Sequence, residues 1–161
     1  MTIKVGDRLP ETKLRVSTPD GPAWKTTGEL FKGKKVVLFG VPGAFTGTCS
    51  NAHLPGFLKH ADAIKAKGVD VIAVTGINDI YVMEAWKRTS GADGKIEFLA
   101  DGNGEFAKAL DLTFDGSAFG LGTRSKRYSM LVEDGVVTRL NIEESPAKAE
   151  TSGAENLLKQ L

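Results

Sequence analysis

With one cysteine in 161 residues, Cys49, the chain cannot form an internal disulfide, and that usage suits a reducing compartment. Two histidines beside it, His53 and His60, leave too few donors for a metal centre, so neither a metal nor another cofactor is expected. Charge of one sign is missing too. Twenty-one basic residues against twenty acidic give a formal charge of +1 without a basic block, which argues against nucleic acid or an anionic membrane as partner. No apolar run approaches membrane-spanning length. Residues 1–7 lack both the apolar stretch of a signal peptide and the Arg/Ser richness of a transit peptide, so a cytoplasmic location is expected. A trimmed organellar chain would look the same.

What is present is one domain's worth of chain, residues 1–161, able to bury about two thirds of its unfolded surface without cross-links. Nineteen glycines imply many tight turns and close backbone approaches. The organising stretch is Val41-Pro42-Gly43-Ala44-Phe45-Thr46-Gly47-Thr48-Cys49. Before it, Lys35 to Phe39 is a β-branched and aromatic run without polar alternation, the pattern of a strand covered on both faces. After it, Leu54, Phe57, Leu58, Ala61 and Ile64 recur at helical spacing. Thr46 or Thr48 is expected to cap that helix, and either choice puts Cys49 in its first turn, where unpaired N–H groups and the macrodipole favour an anion. A free thiol with a pKa near ~8.5 is mostly un-ionised at neutral pH, and helix N-termini and neighbouring cations raise its nucleophilic fraction.

Along the rest of the chain, residues 1–27 read as a short hairpin or arm, with turn chemistry at Thr18-Pro19-Asp20-Gly21-Pro22. Pro55-Gly56 must kink or interrupt the helix after Cys49, whose later part ends at Gly68. Val69 to Thr75 is a second buried strand, so Cys49 lies in the loop of a βαβ unit. A helix from Asn78 or Asp79 to about Thr89 follows, then a strand over 95–100 and a short helix over 104–110. Arg127 to Glu133 and Val136 to Ile142 form a hairpin about Asp134-Gly135. Ser152 and Glu155 have capping-box spacing and open a C-terminal helix. The sum is an α/β chain with a central mixed sheet flanked by helices. Two motifs are decoys: Asp101-Gly102-Asn103-Gly104 lacks the glutamate of a calcium loop, with Leu112 in its place, and Gly120-Leu121-Gly122 lacks a third glycine and a following helix.

Pro42, Thr46 and Cys49 match the proline, threonine and cysteine that mark peroxiredoxins. The longer string from Val41 to Thr46, with Thr48-Cys49-Ser50 and His53-Leu54-Pro55-Gly56-Phe57, resembles the type-5 branch, called type II in plants. The resemblance spans nearly the whole chain, through Tyr81-Val82-Met83 and Trp86 to Arg127-Tyr128-Ser129-Met130. One departure is Gly47, where the family usually has a second proline. The resemblance implies a thioredoxin-like fold, a homodimer close to the active site, and catalytic roles for Cys49, Thr46, Arg127 and Pro42. Cys49 is the nucleophile, Thr46 points its hydroxyl at sulfur and peroxide, Pro42 shields the thiol from water, and Arg127 holds thiolate and peroxide together. On sequence alone Arg124 would serve as well as Arg127. His53, four residues after Cys49, is expected on the same helical face in a structural role, and His60 at the surface or in a dimer contact. Phe45, Tyr81, Trp86, Phe119 and Leu121 could supply a pocket rim or a subunit contact.

The function expected is a thiol-dependent peroxidase acting on hydrogen peroxide and organic hydroperoxides. The stretches 69–75 and 145–152, where relatives carry a second cysteine, contain none, so a one-cysteine cycle is expected. An external thiol then forms a mixed disulfide with Cys49 and a second thiol releases it, glutathione with glutaredoxin being the first choice of reductant and thioredoxin the second. The alternative of another class is a redox sensor or chaperone switched by oxidation of Cys49. Sustained turnover separates the two.

Overall fold

The computed structural model describes all residues, 1–161. Strands β1 (Lys13–Thr18) and β2 (Gly21–Thr26) form the N-terminal hairpin, and helix α1 (Thr27–Phe31) follows, capped by a reciprocal pair between Thr26 and Glu29. Next come β3 (Lys35–Gly40), a turn of π-helix (Cys49–His53) and α2 (Leu54–Ala66). Then follow β4 (Val71–Gly76), α3 (Ile80–Ser90), β5 (Glu97–Ala100) and α4 (Glu105–Leu110). A two-stranded ribbon of β6 (Thr113–Asp115) and β7 (Thr123–Ser125) leads to β8 (Tyr128–Glu133), β9 (Val136–Ile142) and α5 (Ala154–Lys159). That ribbon has no counterpart in the sequence pattern, since three-residue strands are too short to show alternation.

Seven strands make one mixed sheet in the order β2-β1-β5-β4-β3-β8-β9, with β3, β4 and β5 parallel and the rest antiparallel. This is a thioredoxin-like α/β architecture, as expected. The central strands are buried on both faces because each face has its own apolar layer. Val37, Phe39, Ile72, Val74 and Phe98 pack against Leu54, Phe57, Ile64, Met83, Trp86 and Leu157 from the helices on one side. Val36, Leu38, Ala73, Leu99 and Met130 pack against Phe31, Phe106 and Leu110 on the other. Alternating side chains of one strand therefore feed two cores, which is why no polar period shows in the sequence.

Several local expectations are corrected. Neither Thr46 nor Thr48 caps the helix with its side chain: the Thr46 hydroxyl donates to the Gly43 carbonyl (2.7 Å) and the Thr48 hydroxyl to that of Ala147 (2.9 Å). Ser152 does not cap the C-terminal helix either. Gly153 occupies that position, and Ser152 spends both its N–H and its hydroxyl on the Glu143 carboxylate. Pro55 interrupts the helix as anticipated, in the form of a widened turn. It has no N–H to give, and the ladder ahead of it loosens so that the Leu54 N–H reaches back five residues to the Cys49 carbonyl.

Candidate active site

Two strand ends build the site. β3 runs out at Gly40 into the loop 41–48, and β8 lies antiparallel to it with Tyr128 opposite Gly40, so the residue preceding β8 lands beside the loop that follows β3. That residue is Arg127. The strands can close only because Gly40 has no side chain: a Cβ there would overlap the buried Tyr128 ring. The loop is pinned from several sides. The Val41 N–H donates to the Thr75 carbonyl (3.0 Å), the Ala44 N–H to Asn78 Oδ1 (2.8 Å), and the Arg124 Nη1 to the Pro42 carbonyl (3.2 Å). Gly43 permits that last approach, since a Cβ would sit 2.6 Å from Arg124 Nη1. Phe45 is held at φ 63°, a costly backbone for an aromatic residue, and half of its side chain faces solvent.

Cys49 opens the π turn and its thiol is fully buried, within the apolar layer that includes Phe39, Val41 and Leu54. The sulfur is nevertheless not in a purely apolar place. Arg127 Nη2 donates to Cys49 Sγ at 2.9 Å, a contact that a thiolate accepts better than a thiol. The guanidinium is itself only 2% exposed, and it is fixed at its other nitrogens. Arg127 Nε donates to the Pro146 carbonyl (3.0 Å), and Nη1 lies 2.9 Å from His53 Nδ1.

The imidazole that meets Arg127 is at the far end of the same π turn and is buried against Phe39 and Phe57, themselves stacked at 4.1 Å. A guanidinium can only donate, so Nδ1 must be the accepting nitrogen and the ring proton sits on Nε2, which donates to the Ser152 carbonyl at 3.0 Å. Desolvation by burial, with the Arg127 charge next to it, depresses the His53 pKa to about 3, and the bond to Ser152 only partly offsets this. The ring is therefore neutral across the physiological range and cannot serve as a proton donor of ordinary strength. On the opposite face of the sheet Tyr128 is fully buried in the apolar layer, with its hydroxyl unpaired and its pKa pushed up by desolvation and by Asp101.

Of the residues singled out by sequence, the structure brings Cys49 and Arg127 into contact and places Pro42 and Thr46 in the loop between them and β3, Pro42 buried and Thr46 half-buried. Thr46 makes its hydroxyl bond to Gly43, not to the sulfur. The tie between Arg124 and Arg127 is broken, because Arg124 braces the loop through Pro42 while Arg127 reaches the sulfur. Trp86 is not a rim residue: it is 1% exposed, packs edge-on to Phe98 and donates from Nε1 to Ser50 Oγ (3.2 Å). Phe45, Tyr81 and Phe119 do stand out into solvent. Sequence reasoning missed the carbonyls of Pro146 and Ser152, since backbone acceptors carry no residue signature, and the Asn78 and Glu143 side chains, whose partners lie in other segments of the chain.

Comparison with known proteins adds to this geometry. A family described as Redoxin matches residues 4–158. Peroxiredoxin-2E, chloroplastic, from Arabidopsis thaliana is 46% identical over 164 residues, spanning 99% of this chain and 70% of that protein. Peroxiredoxin-2F, mitochondrial, from the same plant is 47% identical over 133 residues, 83% of this chain and 66% of that one. The crystal structure of reduced Prx3 in complex with H2O2 from Vibrio vulnificus superposes with a TM-score of 0.94 at 50% identity, covering 99% of both chains. These relatives correct the expectation of a cytoplasmic location, because chloroplastic and mitochondrial proteins share this sequence pattern. The physical reason is that a removable leader, not the catalytic fold, carries an organellar address.

Proposed function

The chain belongs to the Redoxin family, among its peroxiredoxins, and from that premise we propose how its site works. Its activity is that of a thiol peroxidase with one reacting cysteine, acting on peroxides with an external thiol reductant. The observation that carries the assignment of roles is the 2.9 Å contact between Arg127 Nη2 and Cys49 Sγ inside the protein. Cys49 as thiolate attacks one peroxide oxygen. The S–O bond forms as the O–O bond breaks, the attacked oxygen keeps its hydrogen and becomes the sulfenic acid, and the electron pair leaves on the other oxygen, which takes a proton to give water or an alcohol.

A guanidinium has five N–H donors, of which Arg127 commits three, to Pro146, His53 and Cys49, leaving two to follow the negative charge from sulfur to the departing oxygen. Thr46, in the loop just ahead of Cys49, takes the peroxide's hydrogen-bonding side by turning its hydroxyl from Gly43. Pro42, buried and without an N–H, keeps that side of the loop free of water. A donor thiol then displaces water from the sulfenic acid to form a mixed disulfide, and a second thiol attacks that disulfide and restores Cys49. Glutathione with glutaredoxin is the proposed donor, with thioredoxin next. The exposed Phe45, Tyr81 and Phe119 support a homodimer that covers them, the reading that sedimentation of wild type and Phe119→Glu would check.

Turnover tests the whole reading. Wild type should consume many equivalents of peroxide with one of the donor systems, and Cys49→Ser none. Consumption that stops at one equivalent per subunit with every donor would instead favour the sensor or chaperone.

A further inference from the structure

The segment between β9 and α5, residues 143–153, crosses the active site and presents three backbone carbonyls to it. The Pro146 carbonyl accepts from Arg127 Nε, that of Ala147 from the Thr48 hydroxyl, and that of Ser152 from His53 Nε2. Both ends of this segment are tied through a single residue, Glu143, one by its backbone and the other by its side chain. The Glu143 N–H donates to the Arg127 carbonyl at 3.0 Å, continuing the β8–β9 pairing by one step, and its carboxylate Oε1 accepts from the Ser152 N–H (2.9 Å) and the Ser152 hydroxyl (3.1 Å). Glu143 and Ser152 are both buried, and the carboxylate has no cation on it.

We propose that Glu143 is a positioning residue of the peroxidase: by closing the 143–153 segment onto Ser152 it fixes the Ser152 carbonyl, which sets the His53 tautomer that holds Arg127 Nη2 on the Cys49 sulfur. The inference rests on the assignment of Arg127 and Cys49 above. The logic is one of single-valued donors and acceptors. If the Ser152 carbonyl is in place, the ring proton stays on Nε2 and Nδ1 is free to accept from Arg127. If it moves, Nδ1–H becomes available, and a protonated Nδ1 faces a guanidinium that can only donate. The guanidinium must then turn, and with it the nitrogen on the sulfur. Partners one layer behind a reacting centre commonly change its activity by about tenfold to a hundredfold.

The experiment has a spectroscopic and a kinetic arm. Nitrogen-15 NMR of the histidine rings in the reduced wild-type protein should show His53 Nδ1 bare and Nε2 protonated; a protonated Nδ1 overturns the proposal. In Glu143→Ala the two tautomers should mix, and stopped-flow measurement of the first reaction with hydrogen peroxide should be about tenfold slower. Glu143→Gln keeps an acceptor oxygen and should restore most of the rate, which a requirement for bulk charge would not allow. In a His53→Leu background, Glu143→Ala should add nothing further, whereas independent, multiplying effects would refute the linkage. Ser152→Ala removes one of the two bonds and should fall between wild type and Glu143→Ala; if Glu143→Ala does not fold, Ser152→Ala decides the question, a wild-type rate counting against the proposal. Arg127→Lys separates this from the parent assignment: if it reacts at the wild-type rate the site assignment fails, and if it alone is slow only the role of Glu143 fails.

Discussion

Acid should destabilise this protein through one imidazole. His53 is depressed from 6.5 to about 3 in the folded chain because it is desolvated beside Arg127, while in the unfolded chain it titrates normally. Between those two values the unfolded state binds a proton that the native state refuses, so stability rises with pH across the interval. The contribution is fully present above about 6.5 and is lost progressively as pH falls toward 3. At about pH 5 the unfolded pKa lies 1.5 above the solution pH, and at ~1.36 kcal/mol per unit the loss relative to neutral pH is about 2 kcal/mol. That is a sizeable part of a typical domain's ~5–15 kcal/mol. Asp101 works in the opposite sense, since burial raises its folded pKa and the native state takes up its proton first. Asp101 is present in both chains of the comparison, so the difference between wild type and His53→Gln isolates the imidazole. The assay is urea unfolding, followed by far-UV circular dichroism, at neutral pH and at about pH 5. Wild type should lose about 2 kcal/mol more than His53→Gln over that interval; equal slopes would refute the buried neutral imidazole and with it the hydrogen-bond directions assigned around Arg127.

Three further outcomes are expected. Arg127→Lys cannot place donors on three separate nitrogens in a planar fork, and should slow the reaction of Cys49 with peroxide about a hundredfold, equivalent to ~3 kcal/mol of barrier, in stopped-flow with Trp86 fluorescence as the probe. Gly40→Ala drives a methyl into the Tyr128 ring and should cost about 3 kcal/mol in chemical denaturation, with Gly40→Ala/Tyr128→Leu recovering part of the loss. Gly47 begins the helical residues ahead of Cys49 with open space where a side chain would go, so Gly47→Pro should raise stability by about 0.5–1 kcal/mol and leave the peroxide rate within about threefold, read by thermal unfolding and the same stopped-flow assay.

Residue pattern was enough to anticipate the strand read over 35–39 and observed at 35–40, the parallel strand read over 69–75 and observed at 71–76, the hairpin about Asp134-Gly135, and Cys49 as the one candidate for a nucleophile. These follow from short-range physics: an uninterrupted apolar run, a two-residue turn with glycine, and a single thiol with no rival. Only the closed sheet selects the arginine that reaches the sulfur: Arg124 lies within β7 and bonds to the Pro42 carbonyl, while Arg127 directly precedes β8, where the β3–β8 register sets it beside the loop that leads to Cys49. It likewise moved Ser152 from a helix cap to a buried partner of Glu143, and turned Pro55 from a break into a π turn with Cys49 and His53 at its two ends. Local pattern reports what a residue can do; which partner completes its hydrogen bonds depends on segments some eighty positions away, such as the Cys49–Arg127 pair at a separation of 78. Such pairings exist only once the sheet has closed.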